Sequence, residues 1–206
     1  MSNEIPAPFD PDALAWDKQG GLLPVIVQDA DNRRVLMLGY MDRAALAATR
    51  ESGRVTFFSR SKQRLWTKGE SSGHFLRLVR IETDCDADTL LVQAHPAGPT
   101  CHLGRASCFP DAPCDFLAEL DALIAQRERE RPEGSYTTKL FESGIKRIAQ
   151  KVGEEGVETA LAATVRDTEE LKNEAADLLY HLIVLLRASG LSLDDAVGVL
   201  RQRHGG

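Results

Sequence analysis

Apolar residues change their spacing once along this chain, near residue 115, and that change divides it into two kinds of fold. Up to about Cys114 the apolar runs are short: "LLPVIVQD", "RVLMLGYM", "RVTFFSRS", "HFLRLVRIET" and "TLLVQAH". Runs of this length, bounded by Gly, Pro, Asn and Ser, predict strands. The Asp-Asn turn in "ADNR" predicts a hairpin between the first two. One segment departs from the pattern: "DRAALAATRESG" predicts a short helix with Asp42 as N-cap and Gly53 as stop.

From Asp115 onward the period becomes helical. "DFLAELDALIAQRERERPEG" has apolar residues at 116, 117, 120, 123 and 124, a helix face followed by charge and a Pro-Gly break. "TTKLFESGIKRIAQKVGEEGVETALAAT" and "TEELKNEAADLLYHLIVLLRAS" predict longer amphipathic helices, and "SLDDAVGVLRQRH" closes the chain. The expectation is an α+β chain of two domains. A β-rich domain spans 1–114 and an all-α domain spans 115–206, joined near "FPDAPCDF".

A formal charge of −6 and a pI near 5.4 argue against a nucleic-acid binder held by phosphate contacts. A phosphate-ester ligand would need positive charge supplied locally, and metal ions are the obvious source. No stretch approaches the roughly 18 apolar residues of a membrane span. The acidic, Pro-rich start "MSNEIPAPFDPD" is unlike a signal peptide. A cytoplasmic chain is therefore expected, in which the four cysteines stay reduced and serve as ligands or buried residues.

"TDCDADTLLV" places Asp84, Asp86 and Asp88 at every second position. On a strand they would project one way and Cys85 the other. Three converging carboxylates suit a hard, oxygen-seeking cation such as Mg²⁺. An EF-hand also begins D-x-D-x-D, but its Gly and Glu positions are here Thr89 and His95. Cys85, Cys101 and Cys108 offer three thiolates with no obvious fourth protein ligand, which describes a Zn²⁺ left open for water. Such an ion lowers the pKa of that water to about 7. His102, His95 and His74 are candidates for proton transfer, with His102 the first choice as general base. In "RLWTKGESSGH", Lys68, Ser71, Ser72, Gly69 and Gly73 could cradle a phosphate, and Trp66 could stack on a purine or pack in the core. Solvated turns, polar loops and small core cysteines explain the same residues, and spacing alone leaves both readings open. Cys114, at the junction, has no assigned role.

The helical half holds a second acidic group. Glu154, Glu155 and Glu158 fall within little more than one turn, with Glu174 and Asp177 on one face downstream. If the two helices pack antiparallel, five carboxylates face one groove, a site for one or two Mg²⁺ ions that would bind a triphosphate. From spacing alone, solvated helix faces are the commoner explanation of such glutamates. Lys151 and Lys139 are plausible phosphate contacts, and His181 either supports a ligand or satisfies the core.

"VLMLGYMDRAAL", "FFSRSKQRLWTKGESSGH", "DCDADTLLVQAHPAGPTCH" and "SCF" closely resemble the signature segments of phosphoribosyl-AMP cyclohydrolase, an enzyme of histidine biosynthesis; the likeness runs from about residue 16 to 110. The resemblance implies Mg²⁺ on Asp84, Asp86 and Asp88, and Zn²⁺ on Cys85, Cys101 and Cys108. It also implies that Cys85 reaches the zinc of a partner subunit, so that the site exists only in a homodimer. Leu103 stands where a polar residue is expected in many relatives, but no ligand is altered.

The order E-E-x-x-E, fifteen residues, E-x-x-D resembles the all-α, MazG-like nucleotide pyrophosphatases. "SYTTKLFESGIKRIAQKVGEEGVETALAA" with "NEAADLLYHLIVLL" is similar more narrowly to phosphoribosyl-ATP pyrophosphatase, over 115 to about 204. That likeness implies a Mg²⁺ site on Glu154, Glu155, Glu158, Glu174 and Asp177, with Glu155 and Glu158 catalytic and Lys151 on the substrate. The helical half is then expected to cleave phosphoribosyl-ATP to phosphoribosyl-AMP and pyrophosphate. The β-rich half is expected to open the adenine ring of phosphoribosyl-AMP between N1 and C6. A nucleobase deaminase fused to another pyrophosphatase would want H-x-E and P-C-x-x-C segments, and neither occurs. A non-catalytic zinc-stapled module would want a closed four-ligand site and gives no reason for a second acidic group.

Overall fold

The computed structural model describes residues 9–205; the first eight residues of the acidic N-terminal segment lie outside it. Two compact units divide it, Met1–Asp115 and Phe116–Gly206. The first is built on strands β1 (Leu23–Asp29), β2 (Val35–Met41), β3 (Thr56–Ser59), β4 (Arg64–Thr67), β5 (Leu76–Thr83) and β6 (Leu90–Pro96), with one helix, α1 (Arg43–Ser52). Ahead of them stand two 3₁₀ turns, Pro11–Ala13 and Trp16–Gln19.

The main sheet has the order β2-β1-β6-β5, and β3 with β4 forms a separate hairpin. β1 runs antiparallel to β2, as the "ADNR" turn predicts, and parallel to β6. Leu23, Val25 and Val27 on β1 alternate into the core, as do Leu90, Val92 and Ala94 on β6. Ala45 and Leu46 of α1 belong to the same core. Asp42 caps α1 by accepting from the Ala45 N–H at 2.7 Å, and Gly53 ends the helix at φ 64°.

Two expectations change here. "RLWT" is a strand rather than loop: Trp66 pairs with Phe57, and their rings stack at 5.7 Å. β-favouring Leu, Trp and Thr outweigh the Gly-rich tail that follows. The aspartate triplet, by contrast, is no strand. β5 and β6 are antiparallel neighbours with Thr83 opposite Leu90, so residues 84–89 must reverse the chain. Asp84 Oδ1 accepts from the N–H groups of Asp88 at 3.0 Å and Thr89 at 3.1 Å, and Ala87 takes a left-handed φ of 60°. The aspartates meet because the backbone curls, not because a pleat alternates.

The second unit holds α2 (Phe116–Glu130), α3 (Tyr136–Ser143), α4 (Ile145–Val165), α5 (Thr168–Ala188) and α6 (Leu193–His204). The continuous helix expected over "TTKLFESGIKRIAQ" breaks at Gly144, whose φ of 82° and ψ of 165° no helix accommodates. A two-residue link joins α4 to α5, which makes them an antiparallel hairpin. Ile124, Leu140, Ile148, Ile183 and Val184 form the core of this unit.

With so small a core, one buried ion pair carries weight. Asp121 of α2 accepts from Arg187 of α5 through Nε at 2.6 Å and Nη2 at 2.5 Å, and from the Leu193 N–H at 3.3 Å. Three helices are tied at one carboxylate that is itself 6% exposed. Asp121→Ala, which strands the guanidinium, is expected to destabilise the helical unit by about 3 kcal/mol. Urea unfolding followed by circular dichroism should show the helical transition moving to lower denaturant.

Candidate functional site

Three chemical groupings stand out, two in the first unit and one in the second. The largest is a cleft of about 520 Å³ that gathers Trp66, Lys68, Ser71, Ser72, His74, Cys101, His102 and Cys108. β3 and β4 position it: Phe57 backs the Trp66 ring, and the Lys68 N–H donates to the Val55 carbonyl at 3.0 Å. The Gly69–Phe75 turn then folds over the mouth. Gly69 has φ 90°, and a Cβ there would lie 2.5 Å from the His74 backbone, so only glycine fits. Ser71 and Ser72 are exposed on this turn, and Ser72 Oγ accepts from the His74 N–H at 3.3 Å.

The two thiols arrive on a separate loop. The Cys108 N–H donates to Leu36 O at 2.8 Å and Ser107 Oγ to Val35 O at 2.7 Å, pinning the loop to β2. Cys101 starts a tight turn, its N–H donating to Arg105 O and its carbonyl accepting from Gly104. The Leu103 N–H, helped by Arg105, holds the Cys101 thiol below its usual pKa. Burial and the neighbouring Cys101 charge push the Cys108 thiol up. Burial also lowers the Lys68 pKa, partly offset by the two thiolates. Two soft sulfur donors and one buried ammonium therefore share a single cleft.

Cys85 is exposed on the β5–β6 turn and does not join Cys101 and Cys108 in any group of ligand atoms within 4.8 Å among the described residues. His95 is likewise outside the cleft, on β6, with Nδ1 3.1 Å from Asp31 Oδ2. Of the three histidines weighed for proton transfer, the cleft holds His74 and His102. Arg34 Nη2 lies 3.0 Å from Cys114 Sγ, which places Cys114 against the β1–β2 hairpin.

The second grouping is the aspartate turn, where Asp84, Asp86 and Asp88 bring one carboxylate oxygen each within 4.8 Å of one another. Sequence reasoning missed its counter-ion. Lys18 Nζ, from the Trp16–Gln19 turn, lies 2.6 Å from Asp86 Oδ2 and 3.2 Å from Asp88 Oδ2. The ammonium holds the Asp86 carboxyl below its ordinary range.

The third lies between α4 and α5, where Glu155, Glu158 and Glu174 converge within the same span. The five-carboxylate groove is thus a group of three. Glu154 is drawn away to Gln150 at 2.7 Å, Lys151 at 3.0 Å and Arg147 at 3.3 Å. Asp177 is exposed, and its carbonyl accepts from His181 Nδ1 at 2.8 Å. His181 Nε2 then accepts from the Tyr136 hydroxyl at 3.1 Å, which makes it a satisfied core histidine standing 3.7 Å from Glu155. Lys151 is engaged at 2.6 Å with buried Glu155, which raises the lysine pKa. Lys139 is exposed.

The comparisons with known proteins divide the chain at the same place. A phosphoribosyl-AMP cyclohydrolase family model matches residues 37–110, and a phosphoribosyl-ATP pyrophosphohydrolase model matches residues 117–204. The histidine biosynthesis bifunctional protein HisIE of Xanthomonas campestris pv. campestris is 74% identical over 99% of this chain and 100% of its own length. That of Xylella fastidiosa is 70% identical over 99% and 100%, and that of Escherichia coli 63% over 93% and 95%. The chain belongs to the HisIE family. It is a bifunctional hydrolase of histidine biosynthesis, with cyclohydrolase and pyrophosphohydrolase domains in that order.

Within the helical unit the three glutamates differ in their proton affinity. Burial, then the charge of Glu158 and bonds to Glu170 and Glu155, push the Glu174 carboxyl up to about 7. Lys151 instead holds Glu155 down. A divalent cation held by these carboxylates would compete with the Glu174 proton, so its affinity would be level above that pH and fall below it. Mn²⁺ binding to this cluster is expected to be about tenfold weaker at pH 6 than at pH 8. Equilibrium titration followed by electron paramagnetic resonance measures the difference.

Proposed function

We propose that the cleft of the first unit, Met1–Asp115, opens the adenine ring of phosphoribosyl-AMP at N1–C6. The helical unit, Phe116–Gly206, is assigned the cleavage of phosphoribosyl-ATP between its α and β phosphates. The observation that carries this division is chemical. One cleft pairs two thiols with a buried ammonium, whereas the α4–α5 hairpin gathers three carboxylates and no thiol, with Lys151 on Glu155.

The donor sets fit two different metals. Thiols suit zinc: Cys101 and Cys108 would hold it from one chain, and the exposed Cys85 of a second copy would complete the set in a homodimer. Carboxylate oxygens suit magnesium, on Asp84, Asp86 and Asp88 in one unit and on Glu155, Glu158 and Glu174 in the other, with Glu154 and Asp177 at its edge. Zinc when bound supplies an acidified water at neutral pH, and magnesium supplies charge neutralisation for phosphates.

This chain's side chains do the rest. Lys68 places a buried positive charge in an otherwise acidic protein and draws in the nucleotide's phosphate, with the Ser71 and Ser72 hydroxyls beside it. Trp66, fixed by Phe57, offers a flat apolar face for the base. His102 takes a proton from the attacking water and returns it to the ring nitrogen as the C6–N1 bond breaks, and His74 lines the same cleft. In the helical unit, Glu155 and Glu158 orient the triphosphate and its attacking water, and Lys151 is released to phosphate as the cluster fills. Free thiols suit a reducing, cytoplasmic setting. Among the described residues no helix is long and apolar enough to cross a membrane.

Product analysis of Cys101→Ala and Glu155→Ala tests the assignment. Cys101→Ala is expected to convert phosphoribosyl-ATP only as far as phosphoribosyl-AMP, with ring opening slowed by more than about 100-fold. Glu155→Ala is expected to leave phosphoribosyl-ATP intact yet still open the ring of added phosphoribosyl-AMP. Full rates for both steps in either variant would refute the site assigned to that half.

A further inference from the structure

The aspartate turn is not left to repel itself. Its ammonium partner comes from a separate element nearly seventy residues earlier in the sequence, and the two elements are fastened together. The Ala15 N–H donates to Ala87 O at 2.8 Å, directly behind the carboxylates. Trp16 is 4% exposed and packs in the core, with its Nε1 donating to Pro11 O at 2.9 Å, and Ala87 packs against the same core. The 3₁₀ turn that carries Lys18 therefore has a fixed place against the turn that carries Asp86 and Asp88.

Lys18 reaches both carboxylates at once, at 2.6 and 3.2 Å, and its side chain is 48% exposed. A single positive group touching two oxygens of a three-carboxylate cluster stands where a hard cation would bind. Half-exposed ion pairs of this kind are held weakly, so the ammonium can leave without disturbing the core. Asp84 keeps a different task, since its Oδ1 already accepts two backbone N–H groups of the turn.

We propose that Lys18 is a built-in surrogate for the divalent cation at the aspartate turn, neutralising Asp86 and Asp88 until the ion displaces it. The proposal rests on the reading that this turn holds a cation. It assigns Lys18 the role of setting the threshold concentration at which the ion binds. Once displaced, the ammonium is a mobile positive group beside the filled site, available to a phosphate oxygen.

Mn²⁺ binding to the full chain tests this by paramagnetic resonance at low salt, with Glu155→Gln and Glu158→Gln silencing the helical cluster in every sample. Lys18→Met is expected to bind Mn²⁺ about two- to fivefold more tightly, because no ammonium has to be displaced. Lys18→Arg should stay with the parent. Lys18→Gln provides a second neutral variant should methionine impair folding, which tryptophan fluorescence from Trp16 and Trp66 monitors. Equal or weaker binding by the folded neutral variants would overturn the proposal. Asp86→Asn in the same background separates the underlying reading: if it binds Mn²⁺ as the parent does, the turn is not the cation site.

Discussion

Carboxylates gathered within 4.8 Å repel one another, and the described residues gather them twice. The two clusters are built by unrelated means. In the first, a six-residue reversal between β5 and β6 curls three aspartates together at the expense of a left-handed alanine. In the second, the α4–α5 hairpin sets two glutamates of one helix against one of the other. Each cluster draws a lysine to its edge, Lys18 to the aspartates and Lys151 to Glu155. Under the proposed function, the surplus negative charge that remains would make both positions receptive to divalent ions. An acidic protein can then handle a still more acidic substrate.

The cleft of the first unit answers the complementary need. Lys68 is buried and lines the cleft together with Trp66, two serines and two thiols. Its burial depends on β4, whose pairing with β3 fixes Trp66 over Phe57 and brings the following turn across the mouth. In the helical unit the corresponding rigidity comes from one carboxylate, Asp121, that holds three helices around a core of few residues.

Much of this was legible in the sequence because local chemistry and tertiary structure agree. The change of period near residue 115 and the Asp42 and Gly53 signals around α1 follow from pattern, and Trp66, Lys68, Ser71, Ser72 and His102, singled out in the sequence, gather in one cleft. The failures have physical reasons. Alternation along "DCDAD" suggested a pleat, but antiparallel neighbours on both sides forced a reversal there. Helical period ran unbroken through Gly144, whose backbone conformation no pattern of apolar residues reveals. Glu154 shares spacing with Glu155, yet Arg147, Gln150 and Lys151 compete for it. Lys18 was invisible because its partners lie 68 and 70 residues away. A single lysine in a charged stretch carries no signal of its own.

The central claim is that the two carboxylate clusters and the thiol pair are cation sites of two chemical kinds. Anomalous scattering from crystals grown with Mn²⁺ and Zn²⁺ locates such ions directly. The account predicts manganese signal at Asp84, Asp86 and Asp88 and at Glu155, Glu158 and Glu174, with zinc signal confined to Cys101 and Cys108. Manganese spread over other surface carboxylates, or zinc absent from the thiols, would contradict it.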